Sequence, residues 1–239
     1  MASNFNRNVS GRAASSEMTY DMGLRAYMLK VYNFMGLGLG LTGLVSFIVS
    51  QTPSLIEALY ANSMLALVFL FLPFGLVLYL QFKIKDMSFQ KAQAMFWLYA
   101  ALMGLALTPI FLVYTGTSIA RVFFITAGTF GSMSLYGYTT QRDLSAWGSF
   151  LFMGLIGIII GGLVNIFLQS SAFQFALSII GVLIFTGLTA YDTQTIKEIY
   201  ASSDSQEIAG KKAIMGALTL YLDFINLFLM LLRLFGDRR

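Results

Sequence analysis

The apolar positions of this chain fall into seven long runs, separated by short polar or turn-forming stretches. A helix needs about 20 predominantly apolar residues to cross a bilayer, so each run predicts a transmembrane helix. The predicted spans are Ala26–Ser50, Asn62–Phe82, Ala92–Tyr114, Arg121–Thr140, Gly148–Leu168, Phe173–Ile196 and Ala213–Phe235. Because most connections are short, neighbouring helices should run antiparallel. The pattern predicts an all-α polytopic membrane protein with a single seven-helix domain over residues 26–236.

Both ends of the chain are polar. Residues 1–20 are rich in Ser and Asn and lack the apolar core of a secretory signal, so we predict a disordered cytoplasmic tail within a polar segment over residues 1–25. Residues 237–239 form a basic C-terminal end.

Lys and Arg set the expected orientation, because cytoplasmic loops of membrane proteins are enriched in them. With the N-terminus inside, the inner side holds Arg7, Arg12, Arg25, Lys30, Lys83, Lys85, Lys91, Arg142, Lys197, Lys211 and Lys212. The outer side holds Arg121, Arg233, Arg238 and Arg239. This bias predicts a cytoplasmic N-terminus in a cell membrane. The basic C-terminal end fits the outer side poorly, so the last span either crosses or re-enters and leaves the tail inside.

Composition limits the kinds of reaction and of bound partner that we expect for this chain. The chain is 57% hydrophobic and 11% charged, whereas soluble domains are about a quarter charged. It has no Cys and no His, which excludes disulfides, thiolate chemistry and a Ser-His-Asp triad. We therefore expect no enzyme and no cofactor. The basic residues form no patch, so we expect no nucleic-acid partner.

The seventh span carries a carboxylate, Asp223, near its middle. A charge in hydrocarbon is unfavourable by at least a few kcal/mol, so such a residue faces a partner or a water-filled cavity. Helical spacing puts Thr219, Asn226 and Arg233 on the same face as Asp223. This pattern predicts a central helix whose polar stripe faces other helices.

A second carboxylate, Asp192, lies in the sixth span. At 1.5 Å per residue, Asp192 is roughly 12 Å and Asp223 roughly 15 Å from the inner ends of their antiparallel helices, so direct contact is feasible. Two carboxyl groups in contact would share one proton and titrate as a unit. Losing the proton leaves like charges that must separate or capture a hard cation such as Ca²⁺. Alternatively, each Asp bonds only a neighbouring Thr, Tyr or backbone group.

Other polar and small residues have more than one interpretation. Thr189, Thr219, Asn226, Tyr136 and Arg233 are candidates to support an ion path. Tyr136 belongs to a stripe on the fourth span that equally fits a helix–helix hydrogen-bonding face. Glycines mark the first and fifth spans and predict close helix packing; they are Gly36, Gly38, Gly40, Gly43, Gly154, Gly157, Gly161 and Gly162.

Four segments closely resemble the transmembrane Bax-inhibitor-motif family, in its bacterial branch. They are GLALTPIF (Gly104–Phe111), FFITAGTFGSMSLYGYTTQRDLS (Phe123–Ser145), LTAYDTQTIK (Leu188–Lys197) and LYLDFINLFLMLLRLFG (Leu220–Gly236). The resemblance implies a central C-terminal helix wrapped by six others. It also implies a pH-sensitive Ca²⁺ leak across the bacterial inner membrane, gated by an aspartate pair that matches Asp192 and Asp223.

Three functional hypotheses remain open on the sequence. The first is a passive, pH-gated cation leak, with the bilayer, Ca²⁺ and protons as partners. The second is proton-coupled exchange of an ion or solute through the same aspartates. The third is a non-transporting protein that regulates other membrane proteins.

Overall fold

The computed structural model describes residues 2–60 and 62–239, except for the side chains of residues 2–20, Ser63 and Ala66. The described chain is helical, with a single 3₁₀ turn at Ile84–Asp86. The helices are α1 (Ala2–Ser50), α2 (Pro53–Tyr60), α3 (Ser63–Lys83), α4 (Phe89–Val113), α5 (Gly116–Thr139), α6 (Ser145–Leu168), α7 (Ser171–Glu198) and α8 (Gln206–Phe235).

Seven helices within the described residues are long and apolar enough to cross a membrane, which confirms the predicted fold class. The eighth, α2, is a short helix that the hydropathy pattern does not predict; it begins within the turn-forming residues 51–54. Pro53 occupies its first position, where proline needs no hydrogen-bond donor and its fixed φ favours a helix. α8 begins earlier than the predicted Ala213, because the Ser205 hydroxyl accepts a hydrogen bond from the Ile208 N–H (3.3 Å) and caps the helix.

The polar tail predicted over residues 1–25 enters α1, whose backbone begins at Ala2. The side chains of residues 2–20 lie outside the described part of the chain. The tail therefore stays a prediction.

α8 is the most buried of the spanning helices. Within the most apolar stretch of each span, 72% of α8 is buried, whereas the other spans range from 11% to 39%. α8 packs chiefly against α1, α4, α5 and α7, while α3 packs on α4 and α6 packs on α7. The expected wrapping of α8 by all six other helices is therefore not confirmed, because α3 and α6 pack mainly on their own neighbours.

Only part of the glycine pattern serves close packing. An added Cβ would meet a neighbouring side chain at Gly38, Gly154 and Gly161. It would meet nothing within 4 Å at Gly36, Gly40, Gly43, Gly157 and Gly162. The packing prediction is therefore wrong for these five, because open space and not a neighbouring helix lies beside each glycine.

The C-terminus lies at the end of the bundle opposite the start of α1. α8 runs unbroken for 30 residues, about 45 Å at 1.5 Å per residue. Beyond it, the Asp237 carboxylate accepts a hydrogen bond from Arg121 (2.9 Å), and the Asp237 N–H donates to the Ser118 hydroxyl (2.9 Å). At the other end, the Tyr200 ring lies 5.5 Å from the Tyr27 ring, near the start of the membrane-spanning part of α1 (Asp21–Ser50). The last span therefore crosses the bundle, and the re-entrant alternative is wrong.

Single cysteines can test this topology, because the chain has none of its own. We expect a membrane-impermeant maleimide to label Arg239→Cys in intact cells, and to label Ser203→Cys only after permeabilisation. Labelling of both from one side would contradict the crossing of α8. If Ser203→Cys were labelled in intact cells and Arg239→Cys only after permeabilisation, α8 would still cross. That result would contradict only the cytoplasmic N-terminus expected from the Lys and Arg distribution.

The closest approach of α5 to α7 generates a second prediction. A Cβ at Gly137 would collide with the carbonyl oxygen of Ala190, so Gly137→Ala should destabilise the protein by about 1–3 kcal/mol through overpacking. Gly128→Ala on the same helix is the control, since its Cβ meets nothing within 4 Å. Thermal unfolding in detergent measures both, and equal midpoints would contradict the close contact.

Candidate functional site

Asp192 of α7 and Asp223 of α8 lie in direct contact inside the bundle. The two carboxyl groups are close enough to interact directly, and both line the same cavity. Asp223 is 5% exposed, and its Oδ2 has no hydrogen-bond donor among the described residues. Two adjacent carboxyl groups shielded from water cannot easily both be ionised, because their like charges repel. The geometry therefore fits a pair that holds a single proton.

The pair faces a cavity of about 860 Å³ between α3 and α6. Its polar lining residues are Gln81, Tyr99, Ser149, Tyr191, Asp192, Thr219, Asp223 and Asn226. Most of these lie toward the end of the bundle where α1 begins. Toward the opposite end the lining is apolar and includes Leu70, Ile159 and Met230. The cavity therefore has a polar half beside the aspartates and an apolar half beyond them.

The structure brings only some of the predicted supporting residues to this cavity. Thr219 and Asn226 line it together with the aspartates, as their shared helix face suggested. Gln81 and Tyr191 also line it and were not predicted. The sequence gives no signal for Gln81, because it lies near the end of an otherwise apolar span, where polar side chains are common.

Three predicted candidates lie outside the cavity lining. The Thr189 side chain is fully buried and donates to the Phe185 carbonyl oxygen (2.7 Å). Tyr136 is 43% exposed and lines a separate groove with Arg142 and Trp147. Arg233 lies near the end of α8, about 15 Å beyond Asp223 at the helical rise. The structure does not support an ion path through these three residues.

Thr129 and Ser132, which share the Tyr136 stripe on α5, bond within their own helix. Thr129 and Ser132 donate to carbonyl oxygens one turn earlier, at Ile125 and Gly128. The buried polar face of α5 is a different one. It includes Ser134, whose hydroxyl contacts both α1 and α7.

Hydrogen-bonded chains fix the helices next to both aspartates. Beside Asp192, the Thr193 hydroxyl bonds that of Ser134 (2.9 Å), which in turn bonds that of Tyr32 (2.7 Å). Near Asp223, the Tyr221 hydroxyl bonds that of Thr42 (2.7 Å), which donates to the Ala100 carbonyl oxygen (2.7 Å). These chains link α1 to α5 and α7, and α1 to α4 and α8, so each carboxyl group sits on a braced helix.

The α5–α6 loop is bound to α7 two residues beyond Asp192. The Gln194 side chain donates to the Arg142 carbonyl oxygen and accepts from the Leu144 N–H, both at 2.8 Å. Within the loop, the Asp143 carboxylate accepts from the Ser145 N–H (2.8 Å), which lowers the pKa of Asp143. Asp143 thus closes an Asx turn just before α6, whose N-cap position is Leu144.

The donor set limits how a cation could be held. No group of three or more His, Cys, Asp or Glu side chains occurs among the described residues. Ca²⁺ usually takes six to eight oxygen ligands, so water would have to supply most of them beside Asp192 and Asp223. The arrangement suits a hydrated cation in passage better than a resident ion.

Two buried tyrosines near the site make a matched test of the bracing. Their rings lie 5.4 Å apart; the Tyr221 hydroxyl is bonded to Thr42, whereas the Tyr99 hydroxyl has no partner among the described residues. We expect Tyr221→Phe to destabilise the protein by about 1 kcal/mol, and Tyr99→Phe to be neutral or stabilising. Denaturation in detergent measures both changes. A larger loss for Tyr99→Phe would contradict the assigned bonds.

Comparison with known proteins agrees with this architecture. The model of the family described as "Inhibitor of apoptosis-promoting Bax1" matches residues 24–239. The chain is 50% identical over 225 residues to an uncharacterized protein of Rickettsia prowazekii, RP147, covering 94% of this chain and 95% of the relative. It is 49% identical over 219 residues to the inner membrane protein YbhL of Escherichia coli K12, covering 91% and 94%. The resemblance drawn from the sequence motifs is confirmed, and the chain belongs to the Bax inhibitor family of membrane proteins.

Proposed function

We propose that this protein is a pH-sensitive, passive leak for cations, Ca²⁺ in particular, across the bacterial inner membrane. Asp192 and Asp223 form its gate. The observation that carries the proposal is the pair of adjacent carboxyl groups, one of them buried, that lines a cavity in the bundle. Membership of a family with an inner membrane relative supports the location.

The pH sensitivity follows from electrostatics. While the pair holds one proton, a hydrogen bond joins the two side chains and only one negative charge is present. Losing that proton leaves two like charges, which repel by roughly 4 kcal/mol at about 4 Å and an effective dielectric constant of 20. The repulsion is relieved if the side chains separate or if a cation lies between them. Protonation of the pair is thereby coupled to cation occupancy.

The choice of Ca²⁺ follows from the oxygen donors. Carboxylates, the Asn226 amide, the Thr219 hydroxyl and water are the ligands that hard cations prefer. Two adjacent carboxylates favour a divalent over a monovalent ion, because their repulsion is then fully offset. Ca²⁺ is the cargo in this proposal and not a resident cofactor.

The cavity supports a gated path and not an open pore. Its polar half lies toward the start of α1, which the Lys and Arg distribution assigns to the cytoplasm. Its far half is lined by apolar side chains such as Leu70 and Met230, and an unhydrated apolar stretch is a barrier to ions. A leak therefore requires this half to widen, so that ions reach the aspartates from the opposite side.

Ca²⁺ flux in reconstituted liposomes tests the proposal. Wild-type protein should pass Ca²⁺ at a rate that changes with pH, and Asp192→Asn and Asp223→Asn should abolish that change. Asparagine keeps the size of the side chain but cannot ionise. Asp86→Asn is the control, because Asp86 is an exposed carboxylate paired with Lys83 outside the cavity.

Two outcomes favour the other hypotheses. Uphill uptake driven by an imposed pH gradient would indicate proton-coupled exchange through the same pair. Flux equal to that of empty liposomes at every pH would indicate a non-transporting regulator of membrane proteins.

A further inference from the structure

A second groove, of about 730 Å³, lies between α1 and α5 on a different face of the bundle. These two helices flank it without packing closely on each other, since α1 packs chiefly on α4 and α8, and α5 on α7 and α8. The lining residues are Arg25, Met28, Leu29, Tyr32, Met35, Gly36, Phe130, Gly131, Ser134, Leu135 and Tyr138. None of them belongs to the aspartate cavity.

The groove is polar at one end and apolar along the rest. Arg25 and Tyr138 lie at the end where α1 begins and α5 finishes, whereas Gly36 and Phe130 lie deep in the span. The Tyr32 and Ser134 hydroxyls between them bond each other at 2.7 Å. No free polar group is therefore available along the deep part, which suits an apolar chain and disfavours a soluble polar ligand.

The depth of the groove matches one leaflet of a bilayer. Arg25 and Gly36 are eleven residues apart on α1, or about 16 Å at the helical rise. The hydrocarbon core of a bilayer is about 30 Å thick. An acyl chain that starts beside Arg25 thus ends near the midplane, beside Gly36.

The charged end of the groove has no internal counter-ion. The ion pairs among the described side chains join Lys83 to Asp86, Arg121 to Asp237 and Lys212 to Asp204, and Arg25 takes part in none of them. No carboxylate lines the groove. A second cation, the Lys197 ammonium, lies 5.6 Å from the centroid of the Tyr138 ring. The charge complement is an anion at the level of the lipid headgroups.

We infer that this groove binds an anionic phospholipid from the leaflet on the N-terminal side of the bundle. One acyl chain lies between Gly36 and Gly131, and the headgroup is held at Arg25. This inference is independent of the leak proposal, because it concerns another face of the bundle and needs no ion flux.

The glycines of the groove leave open space between its two walls. An added Cβ meets nothing within 4 Å at either Gly36 or Gly131. These residues therefore leave open space that a lipid chain can fill, and they do not bring helices together. A larger side chain at either position would occupy that space without meeting protein at its Cβ.

Native mass spectrometry of the full chain in detergent, with added palmitoyl-oleoyl phosphatidylglycerol or phosphatidylcholine, tests the inference. Wild-type protein should bind phosphatidylglycerol in preference to phosphatidylcholine. Arg25→Gln should lower that preference about fivefold, equivalent to about 1 kcal/mol for one basic residue at an anionic surface. Gly131→Leu should reduce binding of both lipids, because the leucine side chain occupies the site of the acyl chain.

Matched controls separate the groove from the rest of the surface. Arg142→Gln removes a charge from the same end of the bundle but outside the groove, and should leave the preference unchanged. Gly128→Leu adds the same side chain to α5 at an open position outside the groove, and should leave binding unchanged. Thermal unfolding of every variant identifies any misfolded one, and Arg25→Gln at an exposed position keeps the test valid should Gly131→Leu not fold.

Three results would overturn the inference. They are equal binding of the two lipids by the wild type, an unchanged lipid preference in Arg25→Gln, and a dimer that Gly131→Leu dissociates. The last result would mean that a second copy of the chain covers the groove.

Discussion

Two carboxyl groups in contact inside an apolar bundle are stable only if a proton or a cation offsets their repulsion. Asp192 and Asp223 are subject to this constraint, because they lie together beside one cavity and Asp223 is buried. The surrounding architecture holds them in place, because hydroxyl chains fix α7 at Thr193 and α8 at Tyr221. A less rigid pair could separate whenever it lost its proton, without any effect on the rest of the bundle. In the proposed gate, the braced helices would instead be displaced when the charge of the pair changes.

The contact between α5 and α7 brings two segments together that are distant in the sequence. The motif around Tyr138 and Arg142 ends α5, and the motif around Asp192 ends α7. Gln194 binds the backbone of the first motif, and the Lys197 ammonium donates to the Tyr138 carbonyl oxygen at 2.9 Å. The conformation of the α5–α6 loop and the position of Asp192 are therefore linked, although no charged side chain of the loop reaches the aspartates.

Hydropathy was sufficient to predict the spans and the helical fold, because burial in a bilayer requires a long apolar run for each crossing. The meeting of Asp192 and Asp223 also followed from arithmetic on adjacent antiparallel helices. Helical periodicity could not tell which polar stripe of α5 faces inward, since Tyr136 and Ser134 lie on stripes of similar polarity. The close packing predicted from glycine spacing is absent at Gly36 for a related reason. A small residue permits close packing but does not require it. The place of Gln81 in the cavity lining depends on how α3 lies beside α6, and a single sequence carries no signal for that packing.

α8 is anchored at both of its ends. At its start, the Lys211 ammonium donates to the carbonyl oxygens of Lys85 and Met87, both at 3.1 Å. Past its end, the Asp237 carbonyl oxygen accepts from the Thr115 N–H at 3.0 Å. Sliding of α8 along its axis would break both sets of bonds, so these bonds oppose axial movement of α8. Motions that alter access to Asp223 must then come from helices on the periphery, which tilt or shift against a stationary carboxylate.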